Sequence, residues 1–82
     1  MPPERPPVMS ATEWLAPFLV VRVTADGGVW TVTRELFGRL HVCHWPYLGS
    51  GVADFTRDFD DRGPDTAAAN LAAALRYLLE QP

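Results

Sequence analysis

The sequence predicts an α+β fold: a small antiparallel three- to four-stranded sheet, a short N-terminal helical turn, and one long C-terminal amphipathic helix packed on one face. Three observations carry this. Two Val/Thr/aromatic runs flank Ala25-Asp26-Gly27-Gly28, which is a hairpin signal. Residues 39–45 alternate apolar and polar side chains in the manner of a third strand. An Ala/Leu-rich stretch over residues 67–80 repeats its leucines at helical spacing.

The 82 residues form one domain. A chain this short buries only about 60–65% of its unfolded surface, so its stability is modest. A hydrophobic content of 48% and a charged content of 21% argue against wholesale disorder. Residues 1–9 hold four prolines and read as a Pro-rich flexible tail; residues 10–82 read as the α+β domain. The tail contains one Pro-x-x-Pro spacing, Pro3 to Pro6, the minimal pattern of a polyproline ligand.

Ser10-Ala11-Thr12-Glu13 is a capping-box pattern, in which the Ser10 hydroxyl accepts from the Glu13 amide. Pro17 stops the helix early, because the residue before a proline avoids helical angles. A turn or two over residues 11–15 follows, anchored by Trp14 and Leu15.

With Asp26-Gly27 as a two-residue turn, Val23 faces Trp30 and Val21 faces Val32. One face then carries Leu19, Val21, Val23, Trp30 and Val32, and the other Val20, Arg22, Thr24, Val29, Thr31 and Thr33. Moving the turn to Gly27-Gly28 shifts the register by two and keeps the same faces, so the first set is the expected core. Residues 35–38 read as a connection. In the third strand Leu40, Val42 and His44 share one side and Arg39, His41, Cys43 and Trp45 the other. Pro46 and Gly49-Ser50-Gly51 end it, and residues 52–59 alternate weakly, as a short fourth strand would.

On a helical wheel Leu71, Leu75, Leu78 and Leu79 fall within about 100°, with Asn70, Arg76, Tyr77 and Glu80 opposite. Burial of the four leucines is worth about 6–12 kcal/mol before entropy, at about 1.5–3 each. Asp65 is the expected N-cap, with Pro64 before it.

The net charge of −3 falls entirely within residues 54–65, where five acids stand against two arginines. That balance disfavours a nucleic-acid partner, whose phosphates are bound by Lys and Arg. The one cysteine, Cys43, points to a reducing compartment, and no leader or spanning segment is visible, so a cytoplasmic protein with no membrane association is expected. The chain has no lysine and no isoleucine. Both use AT-rich codons, so their absence suggests a GC-rich source such as an actinobacterium or its phage.

Among chemistry-bearing clusters, His41-x-Cys43-His44 stands out, but in a strand His44 points away from the other two. Zinc needs about four ligands, or three and water, and no second paired cluster supplies them. A cysteine nucleophile would need a base in reach and a cleft. Asp58-Phe59-Asp60 begins like a calcium loop, yet Arg62 and Ala69 occupy ligand positions. Gly49-Ser50-Gly51 is a flexible turn rather than a nucleophile elbow. The expectation is therefore no catalytic residue, no metal and no cofactor.

Residues 18–79 resemble the core of HicB-type antitoxins, through the Asp26-Gly27-Gly28 turn between two strands, a third strand and the Ala/Leu helix. That family's Pro-Gly-Cys segment is missing, with Glu35-Leu36-Phe37-Gly38 in its place, the following loop is longer, and no DNA-binding appendage follows. The order of helix, three strands and helix is also similar to double-stranded RNA-binding domains, but Asp65 stands where they need a basic helix start.

The favoured expectation is a small non-enzymatic protein-interaction module: an adaptor, an antitoxin or immunity protein, or a phage-encoded inhibitor. Asp54, Asp58, Asp60 and Asp61 would engage a basic protein partner, with Trp45 and Tyr47 as apolar anchors. The alternatives are a HicB-like antitoxin core, a metal- or cysteine-dependent protein using His41, Cys43 and His44, or a subunit whose open strand edge pairs with a second copy as a homodimer.

Overall fold

The computed structural model describes residues 10–60 and 66–82. The expected Pro-rich tail, Asp61 and the Asp65 cap lie outside the described residues. The chain forms helix α1 (Ala11–Leu15), strands β1 (Phe18–Val23) and β2 (Val29–Arg34), a single 3-10 turn (Leu36–Gly38), strands β3 (Leu40–Trp45) and β4 (Phe55–Phe59), and helix α2 (Thr66–Glu80). The strands form one antiparallel meander in the order β1-β2-β3-β4. The α+β architecture, the helical turn and the fourth strand follow the sequence expectation.

The capping box closes as expected on one side: the Glu13 amide donates to Ser10 Oγ at 3.2 Å. Helix α1 then delivers Trp14, whose Nε1 donates to the Ser50 carbonyl at 2.8 Å. Trp14 packs edge-on against Phe18 and Trp45, with ring centroids 5.0 and 5.3 Å away. This cluster covers one end of the sheet face that carries the buried residues Val29, Thr31 and Cys43.

The opposite face holds the main core. Trp30, Val32, Leu40 and Val42 meet Ala74 and Leu78 of α2, with Val20, Phe59, Leu71 and Tyr77 packed around them. Helix α2 crosses this face and closes it.

The hairpin corrects the expected faces. Its loop has three residues, not two: the Thr24 amide donates to the Gly28 carbonyl at 2.8 Å and the Gly27 amide to the Thr24 carbonyl at 3.0 Å. Gly27 takes φ +91°, which closes a turn followed by a left-handed residue. The Asp26 carboxylate fixes this form by accepting from the Gly28 amide at 3.0 Å and from the Thr24 hydroxyl.

Val23 therefore pairs with Val29, Arg22 with Trp30 and Val20 with Val32. A one-residue offset moves every β1 side chain to the other face. Val20 and Arg22 share the helix-covered face, while Val21 and Val23 lie exposed on the other. A bulge between Phe18 and Val20 then returns Phe18 to the Trp14 side.

The orientation of α2 is a second correction. Its buried residues are Asn70, Ala74 and Leu78, with Tyr77 against the core, so the helix is turned away from the leucine-centred arc. Leu79 is 77% exposed and contributes no core burial. Two polar ties hold this rotation. Asn70 Nδ2 donates to the Gly38 carbonyl at 3.0 Å, and Arg22 Nη1 donates to the Leu78 and Gln81 carbonyls at the other end. Small Ala74, fully buried, sits where the helix meets the sheet. Among the described residues no helix is long and apolar enough to cross a membrane.

Candidate functional site

The end of the sheet where β2 turns into β3 gathers charge and exposed apolar surface in one place. Glu35 closes the connection through its backbone, its amide donating to the Arg39 carbonyl at 2.8 Å. Its side chain accepts from Arg39 Nη2 at 2.6 Å. Between them the 3-10 turn takes an unusual form: Phe37 has φ 61° and ψ 33°, and Gly38 has φ 72°. A left-handed conformation costs a residue with a side chain about 1–2 kcal/mol.

That cost is met by docking against α2. Gly38 accepts from Asn70, and a Cβ on Gly38 would lie 3.2 Å from the Ala67 Cα, so only glycine fits without displacement. The turn is thus fixed at both ends while its apex points outward. Leu36 is 78% exposed and Phe37 87%. Both belong to the stretch read from sequence as a mere connection. The signal that could have found them is an apolar pair, Leu36-Phe37, inside a short loop the core does not need.

Acids surround this apex. Phe37, Leu36, Arg39 and Asp60 line a hollow of about 260 Å³. Cross-strand pairing sets His41 opposite Asp58, and His41 Nδ1 lies 2.5 Å from Asp58 Oδ1 and 3.7 Å from Glu35 Oε1. The hydrogen bond and charge of Glu35 raise the Arg39 pKa above its ordinary value, with Asp58 and Asp60 adding to it. Glu35, Asp58 and Asp60 therefore act as one negative field around one guanidinium.

The expected partner-binding residues divide between two ends of the molecule. Asp58 and Asp60 belong to this end. Asp54 sits four residues earlier, about 13 Å away along an extended chain, where it meets His44 Nδ1 at 2.6 Å. Tyr47, in the loop after β3, is exposed. Trp45 is half-buried: its ring packs against both Trp14 and Phe18 and its Nε1 donates to Thr31 Oγ1 at 2.9 Å. Asp61 lies outside the described residues.

The sequence cluster His41, Cys43 and His44 is divided too. His44 packs at a tilt against Trp30, centroids 4.6 Å apart and ring planes at 59°, on the helix-covered side, whereas His41 and Cys43 lie on the other. Burial pushes the Cys43 thiol up, and the charges of Asp58 and Glu35 push it further, so it is protonated at neutral pH. Surface hollows of about 260, 210 and 270 Å³ fall below the ~300–1,000 Å³ usual for small-molecule sites. What this surface presents is a projecting apolar tip in an acidic setting.

Comparison with protein-family models, with curated proteins and with solved structures finds no match to this chain.

Proposed function

We propose that this protein is a non-enzymatic interaction module that binds a basic protein partner, as an adaptor, an antitoxin- or immunity-like protein, or a phage-encoded inhibitor. The observation that carries the proposal is Phe37: a large aromatic side chain, 87% exposed, held in a left-handed turn that α2 braces from behind. Strained backbone is retained where surrounding structure over-determines it, and such places concentrate at binding sites. Aromatic anchors dominate interface energetics, and acids around them speed association with a basic partner.

Leu36 and Phe37 are the apolar anchors in this scheme and Asp58 and Asp60 supply the attracting charge. Asp54 and Tyr47 form a secondary contact region at the far end of the sheet. Trp45 serves chiefly to seal the Trp14 cluster. The single free cysteine supports a reducing, cytoplasmic setting.

The test is affinity capture from lysate of a GC-rich bacterium, followed by binding kinetics on the retained protein. Phe37→Ala should accelerate dissociation. Asp58→Asn with Asp60→Asn should slow association at low salt and lose that effect at high salt. A retained partner that binds both variants like the parent protein would sink the proposal, as would failure to retain any protein.

A further inference from the structure

We propose that Glu35, His41 and Asp58 form a binding site for a divalent transition ion of the zinc type. Each residue offers one donor atom, and the three atoms lie within 4.8 Å of one another. The residues come from three separate segments: the end of β2, β3 and β4. Register alone brings His41 and Asp58 together, and the 3-10 turn folds Glu35 back over them.

Two of the donor spacings bracket that of a zinc site. Zinc bound at about 2.0–2.1 Å to nitrogen and oxygen in a tetrahedral site holds its ligands about 3.3 Å apart. His41 Nδ1 is 2.5 Å from Asp58 Oδ1 and 3.7 Å from Glu35 Oε1, so the required spacing lies between the two. The ion would take the place of the hydrogen bond between His41 Nδ1 and Asp58, with the single proton of the neutral ring carried on Nε2 so that Nδ1 offers its lone pair. Three protein ligands leave a fourth position for water, which the partly exposed His41 and Asp58 admit.

The outer contacts also suit a ligand set. Arg39 engages Glu35 through Oε2, which leaves Oε1 turned toward His41. Hydrogen-bonded carboxylates of this kind are held in orientation for a metal. Two carboxylates balance a divalent charge, while the nearby Arg39 cation opposes it and keeps affinity moderate. An imidazole donor selects zinc, cobalt or nickel over magnesium and calcium, which take oxygen ligands. This set is distinct from His41, Cys43 and His44, because His44 faces the other side of the sheet.

The experiment uses the full chain, freed of metal by chelation and titrated with zinc chloride. One ion per chain should bind, raise the melting temperature, and shift the ring resonances of His41 but not those of His44. Glu35→Gln, His41→Gln and Asp58→Asn should each weaken binding by about tenfold or more. Asp54→Asn, at the two-residue His44 pair, should leave it unchanged, and magnesium or calcium should not substitute. The His41 resonances are read in the unmutated protein, so the answer does not depend on the variants folding. An unmoved His41 ring under saturating zinc overturns the site. So does zinc binding that Glu35→Gln leaves intact, since two ligands alone would then suffice.

Discussion

Arg22 Nη1 donates to the Gln81 carbonyl at 2.7 Å, across 59 residues of chain, and the same nitrogen also serves the Leu78 carbonyl. An edge strand thereby caps the C-terminus of the helix that covers the sheet. The last carbonyls of a helix lack internal partners and carry partial negative charge, so a guanidinium there satisfies both. Arg22→Met keeps the aliphatic stem and removes the donors. It should cost about 1–3 kcal/mol, which is about 4–8 °C of melting temperature per kcal/mol in a domain of this size. Urea denaturation of the two proteins measures it directly.

The rotation of α2 can be checked with two neighbouring leucines. Leu78 is 2% exposed and Leu79 77% exposed. Leu78→Ala should destabilise by about 2–5 kcal/mol through lost burial and a cavity. Leu79→Ala should stay within about 0.5 kcal/mol of the parent. Comparable losses at the two sites would restore the leucine-centred face read from the helical wheel.

Phe37 offers a separation of stability from binding. Its side chain packs on little and its backbone is left-handed, a conformation glycine adopts without steric cost. Phe37→Gly should therefore leave stability unchanged or raise it by up to about 1 kcal/mol, while removing the proposed anchor. A fall in melting temperature would mean that Phe37 supports the fold, contrary to its exposure.

The hairpin gives a pH dependence with a defined sign. The Thr24 hydroxyl, then the Gly28 amide, hold the Asp26 carboxyl below its ordinary value. A depressed folded-state pKa contributes stability that is present above the unfolded value and lost as pH falls through the folded one. Asp26→Ala should thus be less stable than the parent at neutral pH, with the gap narrowing in acid. Denaturation curves at neutral pH and at about pH 2 measure the two gaps, and an unchanged gap would remove Asp26 from the account.

Much of the fold was legible because its signals are local. Ser10 and Glu13 mark α1, Pro17 stops it, and the alternation of residues 39–45 places β3 and its two faces. Each depends on residues within one or two turns of chain, where backbone sterics and capping act. The candidate site was legible only in part. Asp58, Asp60 and His41 were visible as charged or ligand-type residues, but Glu35, Leu36 and Phe37 looked like connection. Their role depends on Asn70 and Ala67, which lie 32 and 29 residues along the chain from Gly38.

By itself the sequence determined the element types, their order and the antiparallel meander. Tertiary structure decided three things. A single additional loop residue at Asp26-Gly27 set which face of β1 is buried, since side chains alternate with a period of two and tolerate no half-measure. Packing at Ala74, with polar ties at Asn70 and Arg22, set which side of α2 faces the sheet, which keeps Leu71 and Leu78 against the core and leaves Leu79 out of it. Cross-strand register then brought His41 and Asp58 together, and the turn after β2 set Glu35 beside them. Proximity of this kind comes from the pairing of β3 with β4, and no spacing along one strand encodes it.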